Sequence, residues 1–213
     1  MRLGAAAVLV SLCSWLASCA VTEPVLAPSS EAAPVSQRTP VAAIDLAGRL
    51  SVRYQKNGHD EALHGSYTWV QRPDATLIDL LSPLGQTLAV ITITPTNASI
   101  EQSGQTTRSA AEPDALVADV LGWPLPIAGL RDWLQGFTTD AQGRRSAVTL
   151  NETAAFKTRD GWTLQYAAWD NGDVDHPHPK RIDMTRNTAE AGEVAIRLVI
   201  DSWQPMPAGT LAH

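Results

Sequence analysis

The chain of 213 residues is 44% hydrophobic and 18% charged, with a net charge of −6 from 16 Lys+Arg against 22 Asp+Glu. No apolar run reaches the ~20 residues that a membrane-spanning helix needs, which excludes a polytopic membrane protein, and the acidic balance excludes a protein that tracks a nucleic-acid backbone. The only cysteines are Cys13 and Cys19, so everything after residue 19 lacks a disulfide, a thiolate metal site and a cysteine nucleophile. Seven Trp stand against three Tyr and two Phe. Trp joins a large apolar body to a polar N–H and favours binding surfaces and half-wet interfaces.

Met1-Arg2 supplies a positive start, and Leu3 to Ala17 is an apolar stretch broken only by Ser11 and Ser14. It is too short for a comfortable span and suits the apolar region of a signal peptide, residues 1–18. The stretch closes on Leu16-Ala17-Ser18-Cys19, which resembles the lipobox of bacterial lipoproteins. That resemblance implies that the Cys19 thiol is the nucleophile that takes diacylglycerol and becomes the first mature residue. The competing reading is an ordinary secretory signal in which Cys19 is incidental. Several acyl chains at ~0.8 kcal/mol per buried CH₂ anchor far more firmly than one. The residue after Cys19 is Ala20 rather than Asp; in enterobacteria Asp there retains a lipoprotein at the inner membrane, so the resemblance implies sorting to the outer membrane. Residues 19–40 hold Pro24, Pro28, Pro34 and Pro40 among Ala, Ser, Thr and Glu, a composition that buries no core and reads as a semi-extended tether. Residues 41–213 are the expected folded domain.

From Val41 the hydrophobic period is mostly two. Leu46, Gly48, Leu50, Val52 and Tyr54 alternate with Ala47, Arg49, Ser51 and Arg53. An Asn57-Gly58 turn follows, and then Leu63, Gly65, Tyr67 and Trp69 alternate with His64, Ser66 and Thr68. Asp74–Leu81 and Thr87–Thr94 are two further strands joined by Ser82-Pro83-Leu84-Gly85-Gln86. Ala98–Glu101 and Gln105–Arg108 suggest a short hairpin. The period then changes. Pro113 opens a helix carrying Leu116, Val117, Val120 and Leu121 and ending at Gly122; a second starts at Pro126, presents Ile127, Leu130, Trp133 and Leu134, and ends at Gly136. Strands return at Ser146–Leu150, Ala154–Thr158, Trp162–Ala168, Lys180–Thr185 and Val194–Asp201. The predicted architecture is mainly β, with about ten antiparallel strands in a strongly curved sheet, an incomplete barrel, and two inserted helices over its concave face. Leu50, Val52, Trp69, Ile78 and Leu80 are expected on the concave face and Trp133 on the helical lid, around an apolar cavity; Ser51, Arg53 and Thr68 are expected outside. Cavity lining and core lining look identical in sequence, so Trp69, Trp133 and Trp162 read equally as core.

Enzyme patterns are missing: there is no G-x-S-x-G elbow, no phosphate-binding glycine loop and no dinucleotide fingerprint. His176-Pro177-His178-Pro179 near Asp173 and Asp175 is the one cluster with metal-like composition, and flanking prolines make it a stiff solvated loop. No enzyme, no metal and no cofactor is therefore expected.

The order of motifs resembles the LolB family. Gly48-Arg49-Leu50, Trp69 and Ser82-Pro83-Leu84-Gly85 come first. Leu121-Gly122-Trp123-Pro124-Leu125-Pro126 and Leu130-Arg131-Asp132-Trp133-Leu134-Gln135-Gly136 follow. Gly161-Trp162-Thr163-Leu164-Gln165-Tyr166, Pro179-Lys180-Arg181-Ile182 and Ile200-Asp201-Ser202-Trp203 complete the match, over roughly residues 44–203. The resemblance implies an incomplete β-barrel closed by helices, with a cavity for the acyl chains of a client lipoprotein. It also implies a monomer at the periplasmic face of the outer membrane. A periplasmic carrier, LolA, hands over clients, and the protein places them in the membrane's inner leaflet with no cofactor and no nucleic acid. From the residues alone, a loop leucine such as Leu84 is usually tucked inward; the resemblance implies instead that the loop of Pro83, Leu84 and Gly85 protrudes to meet that leaflet, with Leu84 as the contact. Two other functions stay open at this stage: a scaffolding envelope lipoprotein without a lipid ligand, and a lipid-modifying enzyme.

Overall fold

A computed structural model describes residues 38–206, apart from 123, 124, 141 and 174. The expected signal peptide, Cys19, Ala20, the tether up to residue 37 and the tail from residue 207 lie outside the described residues.

The chain opens with two long strands, β1 (Ile44–Lys56) and β2 (His59–Gln71), joined by Asn57 and Gly58. Both turn residues have positive φ, 54° and 77°, the geometry that matches a two-residue turn to the right-handed twist of its strands. Next come β3 (Thr76–Leu81), β4 (Thr87–Ile93), β5 (Ala98–Gln102) and β6 (Arg108–Ala110), followed by α1 (Pro113–Leu121) and α2 (Ile127–Trp133). The order closes with β7 (Phe137–Thr139), β8 (Arg145–Ala147), β9 (Phe156–Lys157), β10 (Thr163–Asp170), β11 (His178–Thr188) and β12 (Gly192–Pro205). Among the described residues, ten strands form one antiparallel sheet in the order β6-β5-β4-β3-β2-β1-β12-β11-β10-β9, while β7 and β8 pair only with each other. The end strands β6 and β9 do not meet, so the sheet curves without closing into a barrel. The predicted curved sheet with inserted helices is the one observed. The differences are local. The expected strand Ser146–Leu150 is the short Arg145–Ala147, and its partner is Phe137–Thr139, too brief to show an alternating pattern. Ala154–Thr158 shrinks to two paired residues, and the strand expected at Gln105–Arg108 begins only at Arg108.

Curvature has identifiable causes. The β1–β12 register slips between Ala47 and Gly48, and that of β3–β4 between Leu80 and Leu81; an extra residue on one strand bends it and increases the twist. Two strand glycines let backbones close in. A Cβ at Gly48 would stand 2.0 Å from the Val199 carbonyl oxygen, and one at Gly65 would stand 2.2 Å from that of Leu81. Gly65→Ala therefore forces β2 and β3 apart at the point where β3 leaves for its loop. An expected loss of about 1–3 kcal/mol, the usual cost of overpacking, would show in urea denaturation as a lower midpoint at unchanged slope.

The two helices lie over the concave side. α1 has Pro113 in its first turn and ends on Gly122 at φ 77°, whose N–H bonds the Ala118 carbonyl; both features follow from the preferences of helix ends. Asp114 accepts a hydrogen bond from the Ala128 N–H at 2.9 Å, which ties α1 to the start of α2. Buried side chains from both helices (Leu116, Val117, Ile127, Leu130, Leu134) and from the sheet form one core. Behind β10 to β12 this core is solid: Trp162, Leu164, Tyr166, Ile182, Met184 and Val194 are all buried there.

Candidate functional site

Between the helices and the other half of the sheet the packing is not solid. A cavity of about 310 Å³ opens there. The register explains its walls. Trp69 lies opposite Ile78 and Ile78 opposite Ile91; Tyr67 lies opposite Leu80 and Leu80 opposite Ala89. Each such row places side chains from three strands on one face, because alternate residues of a strand share a side. Leu50 and Val52 of β1, with Leu198 and Ile196 of β12 across from them, extend the surface. The roof comes from Leu125 and from Ile127, Leu130 and Leu134 of α2, spaced at i, i+3 and i+7 on one helical face. Gln102 is the most polar lining residue, and no described lining residue is charged. The space therefore suits a neutral, apolar guest.

The structure brings Leu50, Val52, Trp69, Ile78 and Leu80 together around this cavity. Trp133 is corrected: it lies on the lid helix but does not line the cavity. At about 100° per helical residue it lies some 120° around from Ile127 and 100° from Leu134, and it faces a separate polar hollow with Phe156 and Lys157. Its ring folds back over Gly129, where a Cβ would lie 2.6 Å from it, and its carbonyl accepts the Tyr166 hydroxyl at 3.2 Å. Trp162 is wholly buried in the solid half of the core. Trp69 is both core and lining; its indole N–H donates to the buried Gln71 side chain at 3.3 Å.

The cavity wall and rim include residues beyond the expected candidates. Leu63, Leu81 and Leu88 also line the cavity, and Leu63 and Leu88 are exposed. Tyr67 presses its ring on the same wall, and its buried hydroxyl has no hydrogen-bond partner among the described residues; burial pushes its pKa above the usual phenol value. The alternation of β2 marked Leu63 and Tyr67 as inward. Leu88 carried no signal, because the irregular pairing at Leu81 and Thr87 displaces it from a regular alternation.

Leu81 and Leu88 flank the β3–β4 loop, so the loop springs from the cavity rim. Within it, the Gly85 N–H bonds the Ser82 carbonyl at 2.9 Å and the Ser82 N–H bonds the Gln86 carbonyl at 2.8 Å. Pro83 pre-sets the first bend, and Gly85 takes φ +80°, where an L side chain is strained. The turn is closed on itself, and Leu84 at its tip is 88% exposed, the most exposed large apolar side chain described. The sequence pattern alone left open whether this leucine tucks inward.

At the opposite end of the sheet, the last residues assigned to the tether are bound to the body. Arg38 donates to the carbonyls of Gln135, Gly136, Val148 and Pro177, and its guanidinium lies over the rings of Phe137 and Trp169, at 5.3 and 5.1 Å. Burial pushes its pKa below the usual guanidinium value. Val41 exchanges two hydrogen bonds with the Gln135 side chain. Nothing in a Pro/Ala/Ser-rich stretch signals such a latch. The histidine-rich loop is also placed: His176 pairs with Asp173 at 3.2 Å, and the His178 ring stacks on Trp203 at 4.8 Å between centroids.

Among relatives, the outer-membrane lipoprotein LolB of Cupriavidus necator is 42% identical over 160 residues, covering 74% of this chain and 79% of that protein. Its counterpart from Thiobacillus denitrificans is 36% identical over 204 residues, covering 94% and 98%. Among solved structures, a LolA-superfamily protein from Nitrosomonas europaea overlays with a TM-score of 0.43 at 12% identity, covering 79% of this chain and 88% of that one. The family model of outer membrane lipoprotein LolB matches residues 42–203, nearly the whole described body. The chain belongs to the LolB family of outer-membrane lipoproteins.

Proposed function

We propose that this protein is an outer-membrane receptor that accepts mature lipoproteins from the periplasmic carrier LolA and inserts them into the inner leaflet of the outer membrane. Cys19 carries the lipid anchor, Ala20 permits export to the outer membrane, and the folded body faces the periplasm as a monomer. The observation that carries the reading is the uncharged apolar cavity of about 310 Å³ under α2, with an exposed leucine loop rising from its rim.

The chemistry is transfer without bond making. Each methylene of a client acyl chain left in water costs about 0.8 kcal/mol. A chain moves downhill from carrier to cavity to bilayer if each site shelters more of it than the last, so neither nucleotide nor cofactor is required. Leu50, Val52, Trp69, Ile78 and Leu80 shelter the chain on the sheet side, and Ile127, Leu130 and Leu134 on the helix side. Leu63, Leu81 and Leu88 give it an apolar path toward the Leu84 loop. A photo-crosslinker at Leu80 is expected to capture the acyl part of a client delivered by the carrier, and the same probe at Ser51 or Thr68 on the outer face to capture none. Capture confined to the outer face, or none at either place while the protein is folded, removes the cavity from the transfer path and leaves the scaffold reading.

A further inference from the structure

On the convex side of the sheet a second hollow, about 470 Å³, lies directly beside the Leu84 loop. Its position follows from the register. Ser51 stands between His64 of β2 and Arg197 of β12, and Arg49 between Ser66 and Val199. These are the alternate residues that point away from the cavity. Pro83, the neighbour of Leu84, closes the hollow from the loop side, and Leu50 and Val199 contribute apolar surface to it.

The charges around it are already partly balanced. Arg49 grips Asp201 with two hydrogen bonds of 2.8 Å. Arg197 and Arg181 both bond the one carboxylate of Asp183, at 2.7 and 2.6 Å, so that group of three keeps one net positive charge. Burial acts to raise the Asp183 pKa, but the hydrogen bonds and charges of the two arginines outweigh it and hold the carboxyl below its usual range. An incoming anion therefore meets paired carboxylates, exposed guanidinium edges and the hydroxyls of Ser51 and Ser66.

We propose that this hollow is a phospholipid headgroup site, in which the phosphodiester is taken by Arg49, Arg197 and the two serines while Leu84 lies in the acyl layer. The inference rests on the membrane-contact role given to Leu84 above. Consecutive Cα atoms are about 3.8 Å apart, so a leucine dipping just below the headgroups keeps Pro83 and the hollow behind it at phosphate depth. A guanidinium is drawn to an anionic membrane surface, and the N–H groups of Arg49 and Arg197 not spent on Asp201 and Asp183 can donate charge-assisted hydrogen bonds to a phosphate oxygen. The apolar floor fits the glycerol end of a headgroup better than a free ion. The direct continuity with the loop favours a lipid over an acidic protein partner.

The test uses the full-length lipidated protein in vesicles of phosphatidylethanolamine and phosphatidylglycerol, with a photo-reactive residue replacing Ser66. Irradiation is expected to give a phospholipid adduct, detected by mass, that millimolar inorganic phosphate does not displace. With Arg49→Gln and Arg197→Gln combined, the adduct yield and the client insertion rate should fall about thirtyfold. Acceptance of clients from the carrier and the melting temperature should stay as in the parent. Absence of a lipid adduct, or a yield indifferent to the double substitution, overturns the proposal. An adduct to the carrier instead marks a protein-docking surface, and displacement by phosphate marks a site for a free anion; either result also overturns it. If the parent inserts clients without forming the adduct, the headgroup site fails alone. If it inserts none in any vesicle, the membrane-insertion reading fails with it.

Discussion

Leu84→Glu is expected to leave the protein folded and able to take clients from the carrier, yet unable to deliver them to a bilayer. Leu84 is 88% exposed at the tip of a turn held by its own backbone hydrogen bonds, so its side chain contributes almost nothing to the folded state. Substitutions at such surface positions usually fall within ±0.5 kcal/mol. In a membrane the same leucine gains about 1.5–3 kcal/mol, and a carboxylate reverses the sign. Leu84→Phe keeps the apolar contact and should keep insertion. Thermal melts, carrier-to-receptor transfer and vesicle insertion measured on the three proteins separate the steps. A melt lowered by several degrees in Leu84→Glu, or an equal loss of acceptance, assigns the leucine to the core or to the carrier contact and removes it from the membrane.

The reciprocal loss is expected from Ala89→Phe. Ala89 is buried in β4 opposite Leu80 on one side and Gln102 on the other, and it faces the cavity. A benzyl group there grows into empty space rather than into packed atoms, so the usual cost of overpacking is largely avoided. The melting temperature should hold or rise. The added ring occupies volume an acyl chain would use. Excluding even two methylenes, at about 0.8 kcal/mol each, weakens acceptance more than tenfold. Vesicle contact through Leu84 should persist. Acceptance equal to that of the parent would place the acyl site elsewhere on the molecule.

The parts of this fold that could be read in advance are those where one side of a strand is wet and the other dry. Leu46 to Tyr54 and Leu63 to Trp69 alternate cleanly because a one-residue slip would invert every side chain, and that alternation puts Leu50, Val52 and Trp69 on the face that lines the cavity. The helices were marked by Pro113, Gly122 and Gly136, whose backbone preferences are local. Trp133 was misplaced because an apolar helix position records only burial, and burial against the solid half of the core looks the same as burial against a cavity. Leu88 was missed where the sheet pairing is irregular. Arg38 was missed for a different reason: its partners are four backbone carbonyls and two aromatic faces, spread from Gln135 to Pro177, and backbone acceptors carry no sequence signature. The exposure of Leu84 depends on the closure of its turn, which Pro83 and Gly85 suggest but which only the fold reveals.

The Arg38 latch fixes the point at which the preceding chain joins the folded body. Arg38 sits near the end of the sheet where β1 begins, whereas the Leu84 loop leaves β3 toward the other end, some 20–25 Å away at about 3.3 Å per strand residue. The 18 residues from Ala20 to Gln37 have a contour of up to about 60 Å. In the proposed reading, with Cys19 in the bilayer, that length exceeds the distance the loop must reach back. In that reading, membrane contact is an intramolecular encounter, and the length of the connecting segment sets its effective concentration. One leucine would never hold a free protein on a membrane. Held through Cys19 as proposed, it would need only to tip the body over, and the body could leave again to meet the next loaded carrier. In the proposed reading, weak contact at the tip and a lasting hold at the far end would give a receptor that stays on its membrane while its cavity mouth samples both the bilayer and the periplasm.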